Sequence, residues 1–400
     1  MSVDTSQISY ALVLQIMREQ GGISRKELAR KTGLSAATIT SITRDLIEKG
    51  YVRTSGTKVI GRGRPVEILE YDAQSRYALG IELHDHAIFG VVTDLYANPI
   101  HTHRIEPVMD GAEAVLSAFQ TWGQEIRPFT DPKECAAVGV AIPGLVDQNS
   151  GIIKFSTEFN LPQIPIVDLL EPRLCRRPAA TNRTYAAALA EVWLGVARKA
   201  KNVIYIRTGE YLGGAILVDK LPYWGSESGA GSIAHVPVDP AGLPCRCGSR
   251  GCLDTVASGS AMARRAREEI KKGRSSSLSE KSNGNLNFIT GSMVVEEAKA
   301  GDAVALDVLQ EAARWLGIAV ATCVNLLGPD MIVIGGHIGR NAGKLLIEPM
   351  YEAARTYVFT VTMQSFQIKA SALGQEAVAC GAAATALWAN LTRSINLHVS

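Results

Sequence analysis

Four residues of the 400-residue chain stand at a spacing that suits a metal. In HVPVDPAGLPCRCGSRGC, His235 is followed by Cys245, Cys247 and Cys252, an H-x9-C-x-C-x4-C arrangement. Three thiolates and one imidazole suit tetrahedral Zn2+, and four protein ligands leave no open position for catalysis, so the chemistry implied is a structural clip. Gly242, Gly248 and Gly251 permit the sharp turns that close a short loop round an ion. The ion would replace an apolar core in a loop too polar to form one. The competing reading is a surface loop with free thiols. The other cysteines, Cys135, Cys175, Cys323 and Cys380, lie singly in apolar or mixed surroundings and read as reduced core thiols.

A second set of residues could meet nucleic acid. In SAATITSITRDLIEKG, Ile39, Ile42 and Leu46 recur at i, i+3, i+7, so one face of a helix is apolar, and Ser35 caps its start. The opposite face shows Ala37, Thr38, Thr40, Ser41 and Arg44. Short side chains let such a helix enter a major groove closely, where hydroxyls and Arg reach base edges or phosphates. Downstream, YVRTSGTKVIGRGRPVEILEYD reads as two strands around a basic, Gly-rich tip, the form of a wing. Arg62 and Arg64 in that tip would be drawn to the negative potential of a narrow minor groove. A protein-interaction module with a flexible GRGRP linker is the alternative.

Other elements have to position these groups. Over residues 8–19, Ile8, Leu12 and Ile16 with Val13 and Met17 make a first amphipathic helix, which Gly21-Gly22 ends. Ser24 caps a short second helix whose Leu28 and Ala29 face inward, and Gly33 makes the turn into the third. Residues 1–76 carry 12 Lys+Arg against 8 Asp+Glu, although the whole chain is only +2. A basic head on a neutral body fits a nucleic-acid-binding arm joined to a sensing or catalytic domain.

Length predicts two or three domains, and 46% hydrophobic with 20% charged residues excludes disordered and fibrous classes. No N-terminal signal pattern and no apolar run of about 18 residues is present, so a cytoplasmic protein that does not span a membrane is expected. Beyond the head, ALGIELHDHAIFGVVTD and VIYIRTGEYLGGAILVD each read as strand, tight turn and strand; Ile81 to Asp94 and Ile206 to Asp219 are both 13 residues apart. Apolar strands at 136–142 and 331–336 alternate with helical segments at 183–199, 256–272 and 303–327. The reading is an α/β body of two related lobes with a ligand cleft between them.

Duplicated hairpins at the start of each lobe resemble those of actin-like ATPases and sugar kinases, and the chain resembles the ROK family (repressors, open reading frames and kinases) over residues 8–395. A winged helix followed by GRGRP is similar to the repressor branch, which includes the N-acetylglucosamine and xylose repressors. The resemblance implies a winged helix-turn-helix with its wing and linker over residues 1–72. It implies a two-lobed, sugar-kinase-like effector and oligomerisation domain over residues 73–400. The His/Cys spacing matches the family's zinc signature, in which the histidine also touches the bound sugar.

Against active kinases of the family, three departures stand out. The first hairpin loop is ELHDH at 82–86 where a D-x-G-G-T-like loop would take phosphates, so bulky His84 and charged Asp85 replace glycines. TNRTYAAALAE retains Asn182 but puts Arg183 where the aspartate base belongs, and a guanidinium cannot take a hydroxyl proton. The second hairpin loop, RTGEYLGGA, adds Glu210 and Tyr211 to a TGIGGG-like pattern, while GlyGly survives at 335–336. The family's sugar-site positions hold Asn160, Asn182, Ser232, His235 and Asp254, with Ser232 and Asp254 in place of glutamates. With Arg183 added, the expected effector is a sugar derivative carrying negative charge, such as a sugar phosphate or sugar acid; the alternative is that Arg183 pairs with a nearby carboxylate and the cleft is empty.

The function expected is therefore a non-enzymatic, DNA-binding regulator of carbohydrate genes, most simply a repressor. Its expected partners are operator DNA, a sugar or sugar-derivative effector and further copies of itself as a homodimer or homotetramer. A divergent sugar kinase with a DNA-binding head, and a regulator controlled by a protein partner, are the alternatives. The polar segment SSSLSEKSNGNLN at 275–287 reads as a mobile loop without assigned function.

Overall fold

A computed structural model of the chain describes residues 5–58, 65–83, 87–105, 131, 133–156, 163–174, 176–359 and 366–393. These fall into two compact units, Met1–Ala186 with Val378–Ser400, and Ala187–Ala377. The expected boundary after residue 72 lies inside unit 1.

The head of unit 1 begins with α1 (Thr5–Gln20), α2 (Arg25–Thr32) and α3 (Ala36–Glu48). Ser24 and Glu27 form a reciprocal capping box at the start of α2, which satisfies two backbone donors otherwise left open there. Gly33, at φ 72°, closes the helix by donating to Ala29 O. The apolar face of α1 differs in detail from the expected stripe. Val13, Leu14 and Met17 are buried, Leu12 and Ile16 half-buried, and the side chain of Ile8 lies outside the described residues. Helix packing turned the face toward Leu14, since a stripe inferred at fourfold spacing is uncertain by about one residue's rotation.

β1 (Val52–Lys58) and β2 (Val66–Tyr71) pair antiparallel as the wing, with an irregularity between Thr54 and Gly56. Ile23 adds a short bridge to Leu69, so the chain between α1 and α2 is sewn to the wing sheet. Aromatic packing ties this head to the strands that follow: the rings of Tyr71 and Tyr96 meet edge-on at 5.1 Å, and Tyr71 donates to Leu95 O at 3.0 Å.

The rest of unit 1 is built on a five-stranded sheet of β3 (Tyr77–Leu83), β4 (Ile88–Thr93), β5 (Pro99–Ile105), β6 (Cys135–Ile142) and β9 (Ala179–Asn182), in the order β5-β4-β3-β6-β9. A small ribbon of β7 (Leu145–Val146) and β8 (Ile153–Phe155) intervenes. Every residue of β6 is buried, as expected for a parallel strand covered on both faces. The C-terminal helix Ala377–Arg393 covers one face so closely that a Cβ at Gly80 would stand 1.8 Å from Ala379 O, and one at Gly139 1.9 Å from Ala382 O. Glycine at both positions is what admits that helix.

Unit 2 repeats the plan. β10 (Val203–Arg207), β11 (Gly213–Val218), β12 (Leu221–Pro222), β13 (Met331–Gly335) and β14 (Gln367–Ala370) lie in the order β12-β11-β10-β13-β14. In both sheets the first strand pairs antiparallel with the second and parallel with the fourth. The two hairpins read from the sequence are thus the same element of two copies of one sheet. α4 (Arg183–Trp193) follows β9; α5 (Gly259–Lys271), α6 (Gly291–Ala300), α7 (Ala303–Leu327), α8 (Gly336–Ala342) and α9 (Lys344–Tyr357) supply the helices of unit 2. Val308, Leu316 and Val320 of α7 join Ile204, Ile206, Ile332 and Ile334 of the sheet in one apolar core.

The segment 275–287 is folded rather than a free loop. Leu278 is fully buried, the Ser277 amide donates to Asp302 Oδ2 at 2.8 Å, and a helical turn spans Leu278–Lys281. One buried leucine and one capping aspartate outweighed a composition that reads as loop, because Asp302 serves both this segment and the N-terminus of α7 through Ala305 N.

Candidate functional site

The DNA-facing candidates lie on the side of α3 opposite its core face. Ile39, Ile42, Thr43 and Leu46 are buried; Ala37, Thr40, Ser41 and Arg44 are exposed. Ser35 accepts from Thr38 N at 3.1 Å, and the two hydroxyls stand 2.8 Å apart, so both are committed to the cap that sets the helix start. Buried Thr43 holds α3 to its neighbours by accepting from Arg25 Nε at 2.9 Å, while Arg25 also pairs with Glu67 of β2. α2, α3 and wing are therefore joined through a single arginine that the sequence did not single out. Arg62 and Arg64 lie outside the described residues.

The metal candidates meet. His235 ends a short helical turn, and its ligand atom and the three sulfurs all lie within 4.8 Å of one another. Cys245 Sγ is 3.7 Å from His235 Nδ1, and Cys247 Sγ is 3.7 Å from Cys252 Sγ. Ligands about 2.0–2.3 Å from a common ion at tetrahedral angles stand about 3.5–3.8 Å apart. The sulfur separation is far beyond a disulfide of about 2.05 Å. Backbone bonds shape the loop: Cys245 N to Ser249 O, Gly251 N to Leu243 O and Leu253 N to Val236 O, all at 2.7–2.9 Å. Gly251, at φ 66°, also runs so near Asp239 O that a Cβ would be 1.6 Å from it. His235, Cys245, Cys247 and Cys252 can hold a metal ion. Of the lone cysteines, Cys135 and Cys380 are buried thiols, Cys323 is half-buried and Cys175 lies outside the described residues.

The effector candidates divide between the units. In unit 1, Asn182 donates to Gly144 O, and its Oδ1 accepts from Thr184 N at 2.7 Å, capping α4. Arg183 is buried, with Nη1 4.0 Å from Oε1 of equally buried Glu82. Its charge thus has a carboxylate counterpart, which removes the main reason for expecting an anionic effector at this position. Glu82 opens the ELHDH segment, but residues 84–86, with His84 and Asp85, lie outside the described residues, as does Asn160.

In unit 2, Ser232 is exposed and donates to Gly229 O at 2.7 Å. Asp254 is buried and accepts from Leu212 N at 2.8 Å. Burial raises its carboxyl above the usual range, opposed by that amide and by Arg246, whose Nε is 3.9 Å from Oδ2. Arg246 also stacks on Tyr211, a contact invisible in sequence because 34 residues separate the partners. The surviving GlyGly has a packing reason: a Cβ at Gly335 would strike the Tyr205 ring, and Thr208 N donates to Gly335 O at 2.8 Å.

Two copies of one sheet with helices, a His/Cys clip in the second unit and an N-terminal winged helix-turn-helix define a sugar-kinase-like body carrying a DNA-binding head. The ROK family model matches residues 78–389, and a winged helix-turn-helix DNA-binding model matches residues 12–53. The chain belongs to the ROK family. It is 27% identical over 385 residues to the xylose repressor of Caldicellulosiruptor bescii, covering 94% of each chain. It is 31% identical over 277 residues to a glucokinase of Thermotoga maritima, covering 69% of this chain and 86% of that one. Among solved structures it resembles a ROK family transcriptional regulator homologous to the Escherichia coli MLC protein, with TM-score 0.84, 26% identity and 98% of each chain covered. Among the described residues, no helix is long and apolar enough to cross a membrane.

Proposed function

We propose that this protein is a cytoplasmic, DNA-binding transcription regulator, a repressor of carbohydrate-metabolism genes that responds to a sugar or sugar derivative. The observation that carries the reading is the exposed face of α3, with Ala37, Thr40, Ser41 and Arg44 presented by a capped helix in a winged head, on the same chain as a ROK body. Likeness to a repressor along 94% of both chains supports it. Asn160, Asn182, Arg183, Ser232, His235 and Asp254 are the residues proposed to contact the effector, and zinc is the ion proposed for the clip, on its three-sulfur, one-nitrogen donor set. A homodimer or homotetramer would let two heads read paired half-sites one or more helical turns apart. Selection of bound sequences from random DNA, followed by footprinting, tests the DNA reading. No selected sequence, or protection of a lone half-site, would count against it. A thermal-shift screen of neutral sugars, sugar phosphates and sugar acids tests the effector and decides its charge.

Kinship with a glucokinase keeps a kinase reading in view. Arg183 in the base position supports the absence of phosphoryl transfer, because its guanidinium cannot accept the hydroxyl proton. A coupled ADP-release assay over a sugar panel is expected to show no turnover above background.

A further inference from the structure

Arg246 is the single residue between two of the cysteines of the clip, and it reaches out of the clip to the tip of the second hairpin. Its guanidinium carbon lies 3.3 Å from the centre of the Tyr211 ring, within the range of a cation–π contact. Its Nε is 3.9 Å from Asp254 Oδ2, and Asp254 Oδ1 accepts the amide of Leu212, the residue after Tyr211. Asp254 in turn stands two residues beyond Cys252. The contacts form a closed circuit: clip, Arg246, Tyr211, Leu212, Asp254, clip. On the far side of the same tip, Gly209 O and Glu210 O accept from Gly259 N and Ser260 N at 2.8 and 3.1 Å.

We propose that Arg246 is a positioning residue through which metal loading of the clip sets the conformation of the hairpin tip Gly209–Leu212 and holds Asp254 in place. The inference rests on reading His235, Cys245, Cys247 and Cys252 as a metal site. An arginine side chain is long and rich in rotamers, so ordering it against one ring requires a fixed starting point. Ligation of both flanking cysteines supplies that point by fixing the backbone on either side of Arg246. With the ion removed, His235 and Cys247, both exposed, lose their shared anchor, and Arg246 loses its fixed base. The tip then keeps its bonds to Gly259 and Ser260 but loses the stack on Tyr211, and Asp254 loses the cation beside it. Metal occupancy thereby reaches a residue proposed to contact the effector without the ion touching it.

Hydrogen exchange at the Tyr211–Gly213 amides, read by mass spectrometry on the full chain, tests this together with zinc content per chain. Zinc-loaded wild-type protein is expected to exchange slowly there, and chelation to speed exchange at least tenfold. Arg246→Ala with zinc retained should show the same acceleration, and chelating that variant should add nothing at the tip. Arg246→Lys, which keeps the cation without the planar face, should restore part of the protection. Arg250→Ala, whose side chain bonds Gly242 O in the same loop, should leave the tip unchanged. Tip exchange that ignores Arg246→Ala in zinc-loaded protein, or that responds to chelation equally with and without Arg246, overturns the proposal and leaves the metal reading standing. Wild-type protein that takes up no metal overturns both.

Discussion

Arg183 Nη1 lies 4.0 Å from Glu82 Oε1, with both side chains almost wholly buried. The arginine that replaces a catalytic base is thus built into unit 1 as half of an ion pair. Removing one member of a buried pair leaves the other charge stranded, at about 3 kcal/mol or more, whereas replacing both by apolar groups is often close to neutral. Glu82→Gln and Arg183→Met should each destabilise the fold by roughly that amount, and the double variant by much less than their sum. Urea unfolding of the four proteins measures the coupling; additive effects would show that the two side chains do not sense each other.

Removal of the metal should be felt as lost stability. Ligation requires deprotonated sulfurs, so protons compete with the ion and affinity rises with pH. One zinc per chain is expected in protein purified without chelator. Cys252→Ser should abolish it and lower the thermal midpoint by several degrees, and acidification from pH 8 to 6 should weaken binding by at least about tenfold. Mass spectrometry and a chelator competition read these outcomes.

Glu191 supplies a pH dependence of known sign. It is buried, accepts from Val196 N at 3.0 Å, and burial raises its carboxyl above the usual range, with Ser371 and that amide opposing. A raised carboxyl favours folding fully below the ordinary glutamate value, and that contribution is lost as pH rises through the higher folded value. Glu191→Gln retains an acceptor for Val196 and removes the buried charge. The variant should therefore gain stability on wild type at pH 8 and not at pH 4, measured by denaturant unfolding at both.

In the head, Arg44 and Arg25 should separate recognition from scaffolding. Arg44 is exposed and makes no hydrogen bond or ion pair among the described residues, so Arg44→Ala should weaken operator binding about tenfold or more with an unchanged midpoint. Arg25 joins α2, α3 and the wing, so Arg25→Ala should lower stability by about 1 kcal/mol. Binding and melting curves on the same preparations distinguish the two.

Leu278 tests whether the polar segment is structural. Its burial in the core of unit 2 predicts that Leu278→Ala costs about 3 kcal/mol. A loss under 0.5 kcal/mol would restore the loop reading.

Spacing alone determined a good deal about this protein. His235, Cys245, Cys247 and Cys252 are close in sequence, and a tetrahedral ligand set imposes its own geometry on a short loop. The caps at Ser24 and Ser35, the buried face of α3 and the twofold hairpin were legible for the same reason: periodicity and local hydrogen bonding act over a few residues. Tertiary structure decided what depends on distant partners. Nothing near Arg183 in the chain names Glu82, 101 residues earlier, so the sequence left open whether its cation attracts an anion or pairs with a carboxylate of the protein. Leu278 is one of two leucines in a polar run, and only the core of unit 2 closing over it shows its role. Arg246 carries no signal of its role in the sequence, because the ring it stacks on arrives from another hairpin. Charge and burial are properties of surroundings, and only the folded chain supplies the surroundings.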